Sequence, residues 1–434
     1  MTALKEKISD TVTSDVTVTE LTSRILDLPP SCIEFIAGSR NKESCHFIVG
    51  TYNLQQIDEG QIDISGQQTR NGSLQLYKLN NGHTELVEAI SYPSAILDLH
   101  FYLDTNIFAV ASSTGSVSVF KAIKEQDNYS IQHVATHQIL PVDILVLSLA
   151  WYPHTNKLRL SEDPLFAITA SNGCVHMIRL SADLKCFRIV NELPALILHS
   201  DNAWTCTISD QYIYSGGDDS ILSRIKFDRV SLEDKGKITL MDNSGQQWNS
   251  TTDHRTSQID YKGHGAGVTA IIALPTCTVE KKNKILLTGS YDDFIRVYEI
   301  LDNQPHKLNC YRILTELFVG GGVWRLKAMK TSWHEIEECN VDCTVLASCM
   351  HAGAKILKIR GYKNGEWKID LMAEMTAHQS MCYASDFLPQ SISNEQGLEV
   401  STDDNVNEWT IVSTSFYDKL LQVWKWTPES SSES

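Results

Sequence analysis

The sequence predicts an all-β fold, a seven-bladed β-propeller whose ring is closed by a strand from the N-terminal region. Three observations carry this prediction. An apolar run, a small-residue turn and a second apolar run recur seven times along the 434 residues. Each copy is preceded by one further apolar segment. The last copy runs almost to the end of the chain and lacks a segment to follow it.

The units stand in order as FIVGTYNL (47–54) with GSLQLYKL (72–79), IFAVASSTGSVSVFKA (107–122), LFAITASNGCVHMIRL (165–180) and YIYSGGDDSILSRIKF (212–227). ILLTGSYDDFIRVYEI (285–300), TVLASCMHAGAKILKI (344–359) and WTIVSTSFYDKLLQVWKW (409–426) complete the set. The segments before them are CIEFIAG (32–38), AILDLHFY (95–102), ILVLSLAWYP (144–153), AWTCTIS (203–209), GVTAIIALP (267–275), GVWRLKAM (322–329) and MCYASDFL (381–388). Val, Ile, Leu, Phe and Tyr fill these runs, and Gly, Asn, Asp and Ser bound them, which is strand and turn chemistry. A fourth strand is legible as CFRIVNEL (186–193) and WKIDLMAEM (367–375). Seven units of three to four strands are the pattern of a propeller of WD-repeat type. The last unit lacks an outer strand, and DVTVTELT (15–22) alternates as a strand should, so it is expected to complete that blade. The expected organisation is a tail over 1–14, one propeller over 15–427 with polar inserts near 55–70, 229–262 and 389–408, and a disordered tail over 428–434.

Composition narrows the function. The charge of −16 argues against general nucleic-acid binding, which needs a basic footprint. No stretch is long and apolar enough for a membrane-spanning helix, and the first residues lack the apolar core of a signal peptide. The 11 cysteines, scattered without framework spacing, read as reduced thiols of a cytoplasmic protein. The Asn-x-Ser/Thr triplets at Asn71, Asn128 and Asn249 then carry no meaning.

No nucleophile elbow, zincin helix or phosphate loop is present. Cys339 and Cys343, near Cys349 and His351, lack paired zinc spacing and read as free thiols. Asp218, Asp219, Asp292, Asp293 and Asp418 read first as turn residues satisfying backbone donors. What stands out lies at the start of the first strand of each unit, the strand that lines the channel of a propeller. Those positions hold Asp98, His199, Trp204, His264, Trp324, Arg325, His378 and Tyr383. The histidines have an ordinary role open to them, hydrogen bonding within the blade. Trp204 and Trp324, with Tyr383 and Asp98, would form an aromatic and acidic pocket if they face the channel. Such a pocket suits a quaternary ammonium, at about 0.5–2 kcal/mol per ring.

The strings SAILDLHF (94–101), YSGGDDS (214–220), TGSYDDFIR (288–296), GGGVWRLK (320–327), SCMHAGAKIL (348–357) and STSFYDKLLQVW (413–424) together resemble the diphthine methyl esterases, WD-repeat proteins of diphthamide biosynthesis. The resemblance spans roughly residues 32–426, and the inserts look like loops of a fungal-type member. It implies hydrolysis of the methyl ester of methylated diphthine on elongation factor 2, giving diphthine and methanol before the final amidation. It also implies no cofactor, no metal, and elongation factor 2 as partner of a monomer. The trimethylammonium group of that substrate suits the aromatic pocket. Carried over by position, Trp204, Trp324, Tyr383, His264, His199 and Tyr417 would bind substrate. The expected chemistry is direct attack by water with His378 as base, Asp98 or Asp418 orienting it and Arg325 holding the oxyanion. Cys349, beside a histidine in CMHAGA, is the alternative nucleophile. A non-catalytic scaffold presenting elongation factor 2 to the amidating enzyme is the competing function.

Overall fold

The computed structural model describes residues 17–36, 44–55, 69–102, 105–152, 163–190, 195–228, 239–241, 258–274, 284–301, 311–333, 339–388 and 408–428. Those residues are all-β, and their strands form seven antiparallel sheets, one per repeat. Blade one is built on Pro30–Phe35, blade two on Ile96–Phe101, blade three on Val146–Trp151 and blade four on Ala203–Ser209. Val268–Ala273, Arg325–Trp333 and Cys382–Leu388 open blades five, six and seven. These first strands contact one another in sequence around the ring, including Pro30–Phe35 against Cys382–Leu388.

Closure follows the sequence. Thr17–Ile25 pairs antiparallel with Leu420–Thr427, from Thr17 opposite Thr427 to Ile25 opposite Leu420. The blade-six strand predicted at 367–375 is Trp367–Met375. The one predicted at 186–193 is shorter, Phe187–Ile189, and Ile197–Leu198 adds a second outer piece. The polar insert at 229–262 needs correction: Gln258–Lys262 is a strand of blade four, paired along Ile221–Asp228. Its Tyr261 is fully buried, which a purely solvated insert would not supply. Most of the other inserts, 56–68 and 389–407, and the tails 1–14 and 429–434 lie outside the described residues.

Each seam between neighbouring blades holds one apolar cluster, seven in all. Each blade therefore buries its two faces against two neighbours, as a sheet buried on both sides must. Three seams are also pinned by carboxylates on first strands. Asp386 accepts the Phe35 N–H at 2.7 Å, Glu34 the Phe101 N–H at 3.3 Å and Asp98 the Leu149 N–H at 3.0 Å.

Most first strands carry a bulge at their start, where one residue is inserted opposite the second strand. The inserted residues are Ser31, Leu97, Leu147, Trp204, Thr269 and Tyr383. In blade six Trp324 precedes the first paired residue, Arg325. A bulge re-aims its extra side chain: Trp204 and Tyr383 meet Trp324 of blade six, whereas the Ser31 and Thr269 hydroxyls turn to carbonyls of the next blade.

Candidate functional site

Two layers make up the site. The upper layer is aromatic. Trp204 and Trp324 meet with ring centroids 5.2 Å apart and planes at 64°. Tyr383 stacks on Trp324 at 5.0 Å. Tyr291, from the turn after the second strand of blade five, lies 5.9 Å from Trp324 and 6.3 Å from Trp204. Phe416 joins Tyr383 at 5.1 Å and is flanked by Tyr52 and Tyr417. The rings form an arc over blades four to seven and blade one, while blades two and three offer Leu97 and Leu147 at the equivalent positions. All but Tyr417 are half-buried; Tyr417 is 69% exposed. The Trp204 indole N–H donates to Asp218 Oδ1 at 2.5 Å, and Asn202 donates to Oδ2 at 2.9 Å. An acidic group thus sits at the end of the arc.

The glycines of GHGAGV and GGGVW make this layer possible. A Cβ on Gly267 would stand 2.9 Å from Asp218 Oδ1 and 3.0 Å from the Tyr291 ring. One on Gly322 would stand 2.9 Å from Met350 Sδ and 3.3 Å from the other side of that ring.

The lower layer is charged. Arg325 Nη2 reaches Asp98 Oδ1 at 3.2 Å, joining blade six to blade two. His100 lies between Asp98 and Glu34, its Nε2 3.4 Å from Asp98 and its Nδ1 2.8 Å from Glu34. Lys327 pairs with Asp386 at 3.0 Å. Burial opposes charging of the His100 ring, but the Asp98 and Glu34 carboxylates outweigh it and raise its pKa to about 10. Burial likewise opposes the Asp98 charge, and Arg325 and His100 together hold that carboxyl well below the usual range. Burial lifts the Asp386 carboxyl while Lys327 pulls against it; the ammonium itself is held charged by Asp386 and Glu34 against its own burial. The Arg325 guanidinium lies 5.5 Å from the Trp324 ring centre and ties the two layers together.

Of the residues expected from sequence, the structure brings together Trp204, Trp324, Tyr383, Tyr417, Asp98 and Arg325. His378 goes elsewhere. Its Nδ1 and Nε2 bond to Ser415 at 3.0 Å and Ser413 at 2.8 Å, and the Trp424 indole donates to the same Ser413 at 3.1 Å. Burial lowers its pKa to about 4. With both nitrogens spent inside blade seven, His378 is a strut rather than an available base. Asp418 supports that blade by accepting the Gln379 N–H at 3.0 Å and the Ser380 hydroxyl at 2.9 Å. His199 does the same work between Asp219 and Ser215, each at 3.0 Å, and His264 bonds Thr288 at 2.9 Å. Cys349 is fully buried in the seam between blades five and six, and burial pushes its thiol up to about 12, so a thiolate is disfavoured there. His351 is exposed.

Sequence reasoning missed Tyr291, Phe416, Glu34, His100, Lys327 and Asp386. Their signal was present: charged residues at inward positions of first strands, and aromatics one residue (Tyr291) or two (Phe416) before the turn aspartates in GSYDDF and SFYDKL. Among the described residues no cluster of His, Cys, Asp and Glu is arranged to hold a metal ion.

With this geometry in place, relatives become informative. The chain is similar to proteins named diphthine methyltransferase. It is 28% identical to the mouse protein over 387 residues, covering 85% of this chain and 68% of that one. Against the Schizosaccharomyces pombe protein the identity is 27%, covering 87% and 90%. Against the Saccharomyces cerevisiae protein it is 24%, covering 92% and 95%. No protein-family model matches. Among solved structures, a chain of the mitotic checkpoint complex superposes with a TM-score of 0.51 at 12% identity, covering 98% of this chain and 97% of that one. Sqt1 of Chaetomium thermophilum gives 0.51 at 13%, covering 92% and 83%. At such identities the structural matches speak for the fold alone.

Proposed function

We propose that this protein hydrolyses the methyl ester of methylated diphthine on elongation factor 2, releasing methanol and leaving the free acid for amidation. The observation that carries the reading is the aromatic arc ending in Asp218, next to a charged layer in which Arg325 keeps unspent donors. Similarity over most of the chain to proteins named diphthine methyltransferase supports this substrate class. The relatives' name speaks of methyl transfer; in the reaction proposed here water is the acceptor of the acyl group.

The arc offers ring faces and a carboxylate to the trimethylammonium group. Arg325 uses Nη2 on Asp98 and on the Leu97 carbonyl, and its Nε and Nη1 have no protein partner among the described residues. Those donors are available for the carbonyl oxygen as it becomes an oxyanion. Asp218, whose oxygens retain acceptor capacity beyond the Trp204 and Asn202 bonds, takes the proton from the attacking water. That proton passes to the departing methoxide as the tetrahedral intermediate collapses, so methanol leaves, and the acid formed releases its remaining proton to solvent and stays as a carboxylate. Asp98 is a positioning residue, holding Arg325 from across the channel.

The test is mass spectrometry of the modified histidine. Purified protein is incubated, without ATP, with elongation factor 2 from cells lacking this chain. Loss of one methylene's mass with release of methanol is expected. No change with binding intact would overturn the esterase and support a propeller that only presents elongation factor 2.

A further inference from the structure

Beneath the arc the channel holds a cavity of about 290 Å3 whose lining combines apolar side chains with cations and hydroxyls and includes no carboxylate. Arg325, Lys327 and His100 reach its wall, together with Ser148, Thr205 and Thr207. The carboxylates that balance the three cations, Asp98, Asp386 and Glu34, are not part of that wall. They stand on blades one, two and seven, each occupied by a cation and a backbone N–H. The Ser148, Thr205 and Thr207 hydroxyls make no hydrogen bond to protein among the described residues. Arg325 likewise keeps Nε and Nη1 unspent. The carboxylates stand behind the wall, in contact with its cations, so what faces the cavity is cationic side chains and unused hydroxyl donors, an arrangement suited to an anion. The guanidinium fork matches the two oxygens of a carboxylate.

The rest of the molecule restricts where that carboxylate comes from. A protein of charge −16 repels a free anion. A carboxylate carried on a molecule whose other group is cationic escapes this, because the aromatic mouth attracts the cation. The guanidinium stands 5.5 Å from the Trp324 ring, so both subsites are within reach of one small zwitterion.

We propose that the cavity is a carboxylate subsite and that the protein binds a betaine-type zwitterion, ammonium at the arc and carboxylate on Arg325. Such a zwitterion is the acid product of the hydrolysis proposed above, and in that respect the inference rests on that reading; it adds that the product is held more tightly than the ester. The carboxylate subsite itself stands on the cavity alone.

Tryptophan fluorescence of the full-length protein, titrated with glycine betaine, its methyl ester, tetramethylammonium and acetate, tests this. Glycine betaine is expected to bind roughly tenfold more tightly than the ester or tetramethylammonium, the gain of a charge-assisted hydrogen-bonded pair. The double variant Ser148→Ala, Thr207→Val should weaken betaine roughly fivefold and leave tetramethylammonium unchanged. Arg325→Gln should erase the preference for the acid. Equal affinity for betaine, ester and tetramethylammonium would overturn the carboxylate subsite while leaving the ammonium site standing. Binding of betaine and acetate without tetramethylammonium would support the subsite and overturn the ammonium site on which the proposed function rests. Absence of binding by all four would overturn both.

Discussion

Tyr291 is held in the mouth between two glycines, Gly267 and Gly322, and neither position leaves room for a side chain. A methyl group on Gly267 must displace Asp218 or the tyrosine ring, since neither 2.9 nor 3.0 Å is an allowed carbon contact. Gly267→Ala is expected to reduce turnover and ammonium binding at least tenfold, while overpacking costs about 1–3 kcal/mol of stability. Activity and thermal unfolding measured on the same sample check it: wild-type activity would remove Asp218 and Tyr291 from the site. Trp324 touches Trp204, Tyr291, Tyr383 and Arg325. Trp324→Ala should therefore weaken tetramethylammonium binding by roughly tenfold or more, about two cation–π contacts' worth. Asp218→Asn keeps an acceptor for the indole but removes the base and the charge. It should lower kcat by about 10²-fold or more in the ester assay.

At the scale of the strand and blade, the histidines that resemble catalytic bases are the ones that hold turns to strands. His264 and His378 are each held by burial near a pKa of about 4, as is His176 within the strand Cys174–Leu180, which plays no such turn-holding part. The unfolded chain binds protons on these rings below its ordinary value near 6.5, and the folded chain does not until about 4. Stability is therefore complete above roughly pH 6.5 and lost as the pH falls toward 4. Urea unfolding across that range should show a steep decline, and His378→Gln should flatten it; an unchanged slope in the variant would mean that His378 does not contribute. The closing strand is a second element with its own consequence. Thr17–Ile25 covers the otherwise open edge of Leu420–Thr427, and Leu21 and Leu26 join the apolar seam between blades seven and one. A chain lacking residues 1–26 would expose that edge and seam together and is expected to aggregate. Light scattering on the truncated and full chains would detect it.

The whole ring is crossed by the Arg325–Asp98 pair, whose members are 227 residues apart. Removing Arg325 leaves the buried Asp98 carboxylate with only His100 and the Leu149 N–H to support it. Arg325→Met is expected to cost about 3–5 kcal/mol, and adding Asp98→Asn should restore part of it. A double-mutant cycle in urea measures the coupling, and simple additivity would mean that the pair does not brace the ring. His100 extends the same network. Its folded pKa of about 10 exceeds the ordinary value near 6.5, so its contribution is fully present below about pH 6.5 and fades as the pH rises through 10. Wild type should lose stability relative to His100→Gln over that interval.

The propeller was legible in the sequence because, apart from the Thr17–Ile25 strand that completes blade seven, every blade is a set of hairpins between sequence neighbours. Strand alternation, small-residue turns and the missing last strand are local properties; local hydrogen bonding turns the first two into hairpins, and the unfilled edge of the last blade is met by a strand from the other end of the chain. Trp204, Trp324 and Tyr383 could be picked out for the same reason, as large rings at the start of strands that must line a channel. Which side chains then face one another was decided only by the ring. Nothing within blade six shows that Arg325 meets Asp98, or that His100 is held charged between two carboxylates. Nor does the string TAHQSMCY show that His378 spends both nitrogens on serines of its own blade. Those outcomes depend on charge, burial and distance summed over blades far apart in the chain, and only the closed ring brings them together.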